Sequence, residues 1–106
     1  MAVAITASNL DKEIKKSDKP VIVDVYATWC GPCQQMTPIF DDLEKELGSK
    51  YKFAKLNVDE AREVSIDYGV TSVPTFLFIK GGEVKGKETG YMSKEALEEK
   101  IKEYLG

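Results

Sequence analysis

Hydrophobic positions along the chain follow two alternating patterns, one typical of β-strands and the other typical of α-helices. Four runs rich in β-branched and aromatic residues predict strands, at 3–6, 21–27, 51–58 and 75–79. The run V-I-V-D-V-Y-A at 21–27 is nearly continuous in apolar residues, which predicts a central strand covered on both faces. Because Gly81-Gly82 is a two-residue turn signal, residues 83–89 are predicted to fold back as a hairpin partner.

Between the predicted strands, apolar residues recur three and four positions apart, which is the spacing of one helix face. The longest such stretch runs from Gly31 to Leu47 and is predicted to end at Gly48. Three shorter helices are predicted to begin at N-capping residues, namely Ser8, Asp59 and Ser93. The resulting order, βαβαβαββα, predicts crossover helices over a sheet that is parallel in its first part and ends in an antiparallel hairpin.

Length and composition narrow the class of protein. The chain has 106 residues, a length typical of one domain, so we expect residues 1–106 to form a single domain. Its 15 Lys and Arg against 18 Asp and Glu give a net charge of −3, which argues against a nucleic acid or an anionic membrane as partner. No apolar run approaches the roughly 20 residues that span a bilayer, and residues 1–6 lack the basic start of a secretory signal. The expected location is therefore cytoplasmic.

The absence of histidine excludes Ser-His and Cys-His catalysis as well as His-ligated metals, so candidate chemistry falls to thiols, carboxylates, Lys, Tyr or hydroxyls. The two cysteines lie in the motif W-C-G-P-C at 29–33, after the predicted central strand and at the start of the longest helix. Backbone N–H groups and the helix dipole stabilise a thiolate there, which lowers the thiol pKa. The i, i+3 spacing places the sulfur atoms close enough for a disulfide. We expect Cys30 to be exposed and Cys33, one turn inside the helix, to be shielded.

Two other interpretations of the cysteine pair stay open at this point. The pair is also half of a zinc site, but zinc prefers four ligands, and with no third Cys and no His only carboxylates or a second chain would complete it. An inert structural disulfide is the second alternative, although a loop of two residues restricts the unfolded chain very little. A redox function is favoured, because C-x-x-C beside a βαβ pattern is typical of redox motifs.

The segment V-D-V-Y-A-T-W-C-G-P-C at 23–33 resembles the active-site segment of the thioredoxin family. The similarity extends over essentially the whole chain, through five further features in the right order: Pro38 within the predicted helix, K-L-N-V-D at 55–59, Y-G-V followed by V-P-T-F at 68–76, K-G-G-E-V at 80–84, and Gly90. The resemblance implies an α/β thioredoxin fold, a five-stranded mixed β-sheet flanked by four helices as a three-layer α/β/α sandwich. It also implies a protein-disulfide reductase of the cytosol.

Asp24 lies in the middle of the predicted central strand, where a carboxylate is costly unless it is paired or neutral. Burial should raise its pKa, and the alternative is an edge strand on which Asp24 faces water. The resemblance implies that Asp24 is a proton acceptor beneath the disulfide and helps to ionise Cys33. It also implies that Lys55 modulates the charge of Asp24, whereas the sequence alone suggests only a solvated lysine.

Pro74 precedes the predicted strand at 75–79, and by itself it suggests only a trans proline that begins a strand. The resemblance implies instead a cis Pro74 beside the cysteines, which leaves the Val73 backbone free to pair with an extended target segment. Trp29 fits a packing role and a substrate-shielding role equally well. By resemblance, the partner-docking rim consists of Gly31, Pro32, Ser72, Val73, Pro74, Gly90 and Tyr91.

The resemblance implies that the Cys30 thiolate attacks a target disulfide and that Cys33 releases the reduced target. It implies a monomer with no bound cofactor and no metal, re-reduced by thioredoxin reductase at the expense of NADPH. Implied targets are ribonucleotide reductase, peroxiredoxins and methionine sulfoxide reductase, within electron transport and cell redox homeostasis. Two alternatives stay open, a disulfide oxidase or isomerase of the same fold and a non-catalytic binding module. The Gly-Pro pair between the cysteines favours the reductant.

Overall fold

In the computed structural model, which describes residues 2–106, the strands form one mixed sheet in the order β1-β3-β2-β4-β5. Their bounds are β1 Val3–Ala4, β2 Val21–Tyr26, β3 Lys52–Asn57, β4 Thr75–Lys80 and β5 Glu83–Thr89. Strand β3 runs parallel to β1 and β2, while β4 is antiparallel to β2 and β5 is antiparallel to β4. The predicted mixed sheet with a final hairpin is thus confirmed.

The helices lie where the apolar spacing predicts them. Their bounds are α1 Gly31–Leu47, α2 Arg62–Asp67 and α3 Lys94–Leu105, and a π-helical turn at Asp11–Lys15 stands in place of the first predicted helix. Helix α1 ends at Gly48 as expected. The predicted N-cap of α3 is confirmed, because the Ser93 hydroxyl accepts a hydrogen bond from the N–H of Ala96 at 3.1 Å.

The other two predicted caps are wrong. The hydroxyl of Ser8 pairs with that of Thr6 at 2.9 Å, and the π-helical turn begins without a side-chain cap. Helix α2 begins after Ala61, also without a side-chain cap, and the carboxylate of Asp59 instead accepts a hydrogen bond from Trp29. In both places the side-chain oxygen that was expected to cap the helix forms a hydrogen bond with another side chain.

Each face of the sheet is covered by helical segments, which confirms the three layers. Side chains alternate along β2, so that Val21, Val23 and Val25 pack on the side of the π-helical turn and α2. Ile22 faces the other way, into a cluster shared by α1 and α3. Its members include Met36, Phe40, Leu43, Leu97 and Ile101. The central strand is therefore buried on both faces, as its apolar run predicts.

The topology brings distant parts of the chain to one end of the sheet. The parallel strands β2 and β3 both end there, and the antiparallel β4 begins there with Thr75 in register with Val25. The turn at Cys30, the segment after β3 and the loop before Pro74 therefore meet at the same edge. Within residues 2–106 no helix is both long and apolar enough to cross a membrane.

Candidate active site

Cys30 is the N-cap of α1 and has an extended backbone, with φ −95° and ψ 115°. Cys30 and Cys33 are joined by a disulfide, with their Cα atoms 5.2 Å apart. The N–H of Cys33 points at the Sγ of Cys30 at 3.2 Å. A backbone N–H at this distance and the positive end of a helix dipole are features that stabilise a thiolate.

Both cysteines are buried, Cys30 with 6% and Cys33 with 3% of its surface exposed. The prediction that Cys33 is shielded is confirmed, but the prediction that Cys30 is exposed is wrong. The reason lies outside the motif, since the Sγ of Cys30 lies 3.8 Å from the carbonyl oxygen of Val73 and packs in a small cluster with Ala27. Val73 therefore covers part of the sulfur of Cys30.

The Val73-Pro74 peptide is cis, as the resemblance implies. The loop on either side is held by hydrogen bonds. The hydroxyl of Thr75 donates to the carbonyl of Ser72 at 2.7 Å, and the N–H of Gly90 donates to the carbonyl of Pro74 at 2.8 Å. These bonds hold the backbone of Val73 beside the disulfide.

Asp24 is buried in the middle of the sheet, with 1% of its surface exposed. The alternative of an edge strand is wrong, because β2 pairs with β3 on one side and β4 on the other. Its Oδ1 accepts no hydrogen bond from the part of the chain that the structure describes. Burial raises the pKa of Asp24 to about 7; the charge of Lys55 opposes this rise and that of Asp41 adds to it. A carboxyl group with this pKa exchanges protons near neutral pH.

Lys55 is the register neighbour of Asp24 in β3. It is half-buried, and its Nζ lies 5.2 Å from the centre of the Tyr26 ring, within reach of a cation–π interaction. Lys55 is therefore not a fully solvated lysine. The structure thus places a cation beside the buried carboxylate, where the resemblance expects it.

Trp29 lies on the surface with 71% of its area exposed, so it is not a core residue. Its indole Nε1 donates to the Oδ2 of Asp59 at 3.0 Å. This bond orients the ring beside the cysteines. Sequence reasoning assigned Asp59 to a helix cap and missed this partnership, since the two residues are 30 positions apart and no local pattern links them.

The residues expected at the docking rim differ in their exposure to solvent. Gly31, Pro32 and Ser72 are exposed, Tyr91 is 54% exposed, and Val73 and Gly90 are half-buried. Pro74 itself is buried. Across residues 2–106, no three His, Cys, Asp or Glu side chains gather as they would around a metal ion.

Comparisons with known proteins agree with this geometry. The family model described as Thioredoxin matches residues 1–103. A protein named Thioredoxin from Rickettsia felis is 44% identical over 97 residues, which cover 92% of this chain and 92% of the relative. Thioredoxin of Chlorobaculum thiosulfatiphilum is 43% identical over 101 residues, 95% of this chain and 94% of the relative. Thioredoxin M-type, chloroplastic, of Pisum sativum is 43% identical over 101 residues, 95% of this chain and 59% of the relative. The chain therefore belongs to the thioredoxin family of thiol-disulfide oxidoreductases.

Proposed function

We propose that this protein-disulfide reductase acts through two successive exchanges, with Cys30 attacking first. The Cys30 thiolate attacks one sulfur of a target disulfide, which forms a mixed disulfide and releases the other target sulfur as a thiolate. The Cys33 thiolate then attacks the Sγ of Cys30, closes the Cys30–Cys33 bond and releases the second target sulfur. Two electrons pass to the target, and its two thiolates take up the two protons given up by the cysteines.

The placement of Cys30 as the N-cap of α1 is the observation that supports this order most directly. The N–H of Cys33 already points at its sulfur at 3.2 Å, and Cys30 is the more accessible cysteine of the two. Cys33 lies inside the first helical turn and has 3% of its surface exposed, against 6% for Cys30. The sulfur of Cys30 is thus suited to attack on another protein, and that of Cys33 to release of the target from the mixed disulfide.

Asp24 is proposed as the proton acceptor for Cys33 and Lys55 as the group that tunes it. The carboxyl group lies on the sheet face that α1 covers, and its pKa of about 7 suits a base that works near neutrality. With no histidine in the chain, a buried carboxylate is the base best placed beneath the helix. Lys55, one strand away, lowers the pKa of Asp24 and so increases the fraction of the basic form.

Target docking is proposed along the rim of Trp29, Ser72, Val73, Pro74, Gly90 and Tyr91, with Gly31 and Pro32 keeping the turn between the cysteines accessible. The carbonyl of Val73 lies 3.8 Å from the sulfur of Cys30, so a target segment paired with this backbone presents its disulfide to Cys30. The exposed rings of Trp29 and Tyr91 offer apolar surface of the kind that binds extended segments.

We further propose that residues 1–106 work as a single-domain, cytoplasmic monomer that binds no cofactor or metal and is re-reduced by thioredoxin reductase with NADPH. Ribonucleotide reductase, peroxiredoxins and methionine sulfoxide reductase are the proposed targets, which makes the chain an electron carrier in redox homeostasis. The bacterial relatives named Thioredoxin support this proposal, although two plant relatives are named as chloroplastic thioredoxins.

Reduction of insulin disulfides tests the proposal. The wild-type protein should turn over many insulin molecules with NADPH and thioredoxin reductase, and with dithiothreitol as an independent electron source. Cys30→Ser and Cys33→Ser should abolish turnover with both, while the remote variant Lys16→Gln keeps full activity. Turnover that survives the loss of either cysteine, or a wild-type protein inactive with both electron sources, would contradict the proposed function.

A further inference from the structure

A groove of about 540 Å³ lies beside the disulfide, between the start of α1, the helix α2 and the loop before Pro74. Its apolar lining includes Trp29, Ile66, Val70 and Val73. Trp29 is 71% exposed and Ile66 is 59% exposed, although both are large apolar side chains. Single exposed hydrophobic residues are normal on a protein surface, but these two line one concavity beside the redox site.

Arg62 also lines this groove and is the only arginine in the sequence. Its side chain is exposed, and across residues 2–106 no carboxylate pairs with its guanidinium group. The nearby carboxylate of Asp59 also lines the groove, but it accepts a hydrogen bond from Trp29 at 3.0 Å. The guanidinium is therefore free to bind a carboxylate from another molecule, and its forked donors suit that partner.

The groove is continuous with the redox site. Val73 lines the groove, and its carbonyl lies 3.8 Å from the sulfur of Cys30. Trp29, which forms another part of the lining, directly precedes Cys30 in the chain. A target segment that presents its disulfide to Cys30 therefore continues across the groove towards Ile66 and Arg62.

We propose that this groove selects target disulfides whose flanking segment carries an apolar side chain and a carboxylate. Ile66 and Arg62 are the specificity-determining residues for this selection. The occupant is an extended segment of the disulfide-bearing target protein, so the inference rests on the proposed disulfide-reductase function. The apolar side chain packs between Ile66 and Trp29, and the carboxylate pairs with Arg62.

Two disulfide-linked peptides test the role of charge. They are identical except that one carries Glu and the other Lys next to a Leu that flanks the disulfide, and the second-order rate of reduction is measured for each. We expect the wild-type protein to prefer the Glu peptide by about two- to fivefold, the range of an exposed ion pair. Arg62→Gln should abolish the preference and Arg62→Glu should reverse it.

Two control variants show whether the effects depend on the groove or follow from any change of surface charge or apolar area. Lys16→Glu makes the same charge change before β2, at the end of the sheet remote from the cysteines, and should leave the preference intact. Ile66→Ala should slow the Leu peptides by about three- to tenfold relative to peptides with Gly in place of Leu. Val84→Ala shortens another exposed apolar side chain, beside the hairpin turn. It should leave the rates of the Leu peptides relative to the Gly peptides unchanged.

A small uncharged disulfide, 2,2′-dithiodipyridine, separates failure of this inference from failure of the proposed function. Every groove variant should reduce it at the wild-type rate, because it is too small to span the groove. Equal rates for the Glu and Lys peptides with the wild-type protein, or a reversal produced equally by Lys16→Glu, would overturn the inference and leave the reductase function standing. A wild-type protein that reduces neither peptide nor the small disulfide would overturn the proposed function itself.

Discussion

Asp24 in β2 lies in register with Lys55 in β3, so a buried carboxyl group and a half-buried ammonium group are lateral neighbours in the sheet. Burial dominates this relationship, since the pKa of Asp24 rises to about 7 in spite of the adjacent positive charge. The Oδ1 of Asp24 has no hydrogen-bond partner within residues 2–106 that would stabilise its charged form. A group that gains and loses its proton near neutral pH is therefore built into the centre of the fold.

Asp24→Asn should change how stability depends on pH. The pKa of Asp24 is about 7 in the folded protein against an ordinary value of 3.8, so between roughly pH 4 and 7 the folded state keeps a proton that the unfolded state releases. Wild-type stability should therefore fall as pH rises through this window and then level off. The full shift corresponds to about 4 kcal/mol.

Urea unfolding of the oxidised protein at pH 5 and pH 8 measures this effect. Asp24→Asn should remove most of the fall and be more stable than the wild-type protein at pH 8. Asp42→Asn, on the exposed side of α1, should keep the wild-type profile. Parallel pH profiles for the wild-type and Asp24→Asn proteins would show that Asp24 does not titrate in this range.

Replacing Lys55 should move the pKa of Asp24 further upward. The positive charge of Lys55 lowers that pKa, so Lys55→Met removes the opposing effect and leaves burial unbalanced. Titration of the Asp24 carboxyl carbon by NMR reports the value directly. Lys50→Met, an exposed lysine that precedes β3, is the matched control and should leave the titration unchanged. An Asp24 pKa that falls or stays constant in Lys55→Met would contradict the proposed influence of Lys55.

Asp24→Asn should also slow the second exchange while sparing the first. If Asp24 accepts the proton of Cys33, the rate at which Cys33 releases a target from a preformed mixed disulfide should rise through about pH 7 in the wild-type protein. The variant should lose this rise and require a higher pH. Stopped-flow detection of the released thiol separates the two steps, and identical wild-type and variant rates across pH 6–9 would refute the role of Asp24 as base.

The fold was largely predictable because its strongest signals are local. The apolar run at 21–27 coincides with β2 at Val21–Tyr26 since that strand is buried on both faces. Helix caps were less predictable, because a cap oxygen has several competing partners. Ser93 binds its helix as predicted, whereas the carboxylate of Asp59 goes to an indole 30 positions away.

The site was predictable only where one segment contains it. The cysteine pair and its place at a helix start follow from the sequence, but the burial of Cys30 depends on Val73, 43 positions later. The position of Ile66 in the sequence is one signal that could have indicated a further site residue. The apolar face of α2 contains Val64, which is buried, and Ile66 lies off that face, so its outward position hinted at a partner.

Gly86→Ala should destabilise the protein. A Cβ at this position would overlap the ring carbons Cγ, Cδ1 and Cδ2 of Tyr104. The ring cannot easily move, because it packs on Phe78 with centroids 5.0 Å apart and its hydroxyl donates to Glu88 at 2.6 Å. We expect a loss of about 1–3 kcal/mol in the free energy of unfolding.

Chemical denaturation compares Gly86→Ala with Gly31→Ala, where an added Cβ meets nothing within 4 Å. The control should match or slightly exceed wild-type stability, since alanine restricts the unfolded chain more than glycine does. Equal stability of the two variants would mean that the β5–α3 contact is looser than the structure shows.

The order of attack is the central claim, and covalent trapping tests it most directly. Reduced Cys33→Ser is mixed with an excess of an oxidised disulfide peptide, and the products are analysed by intact-mass and peptide-mapping mass spectrometry. We predict a stable one-to-one adduct on Cys30 and no comparable adduct in Cys30→Ser, because the buried Cys33 thiol does not reach the target. An absence of adducts with Cys33→Ser, or efficient adducts on Cys33 in Cys30→Ser, would contradict the mechanism.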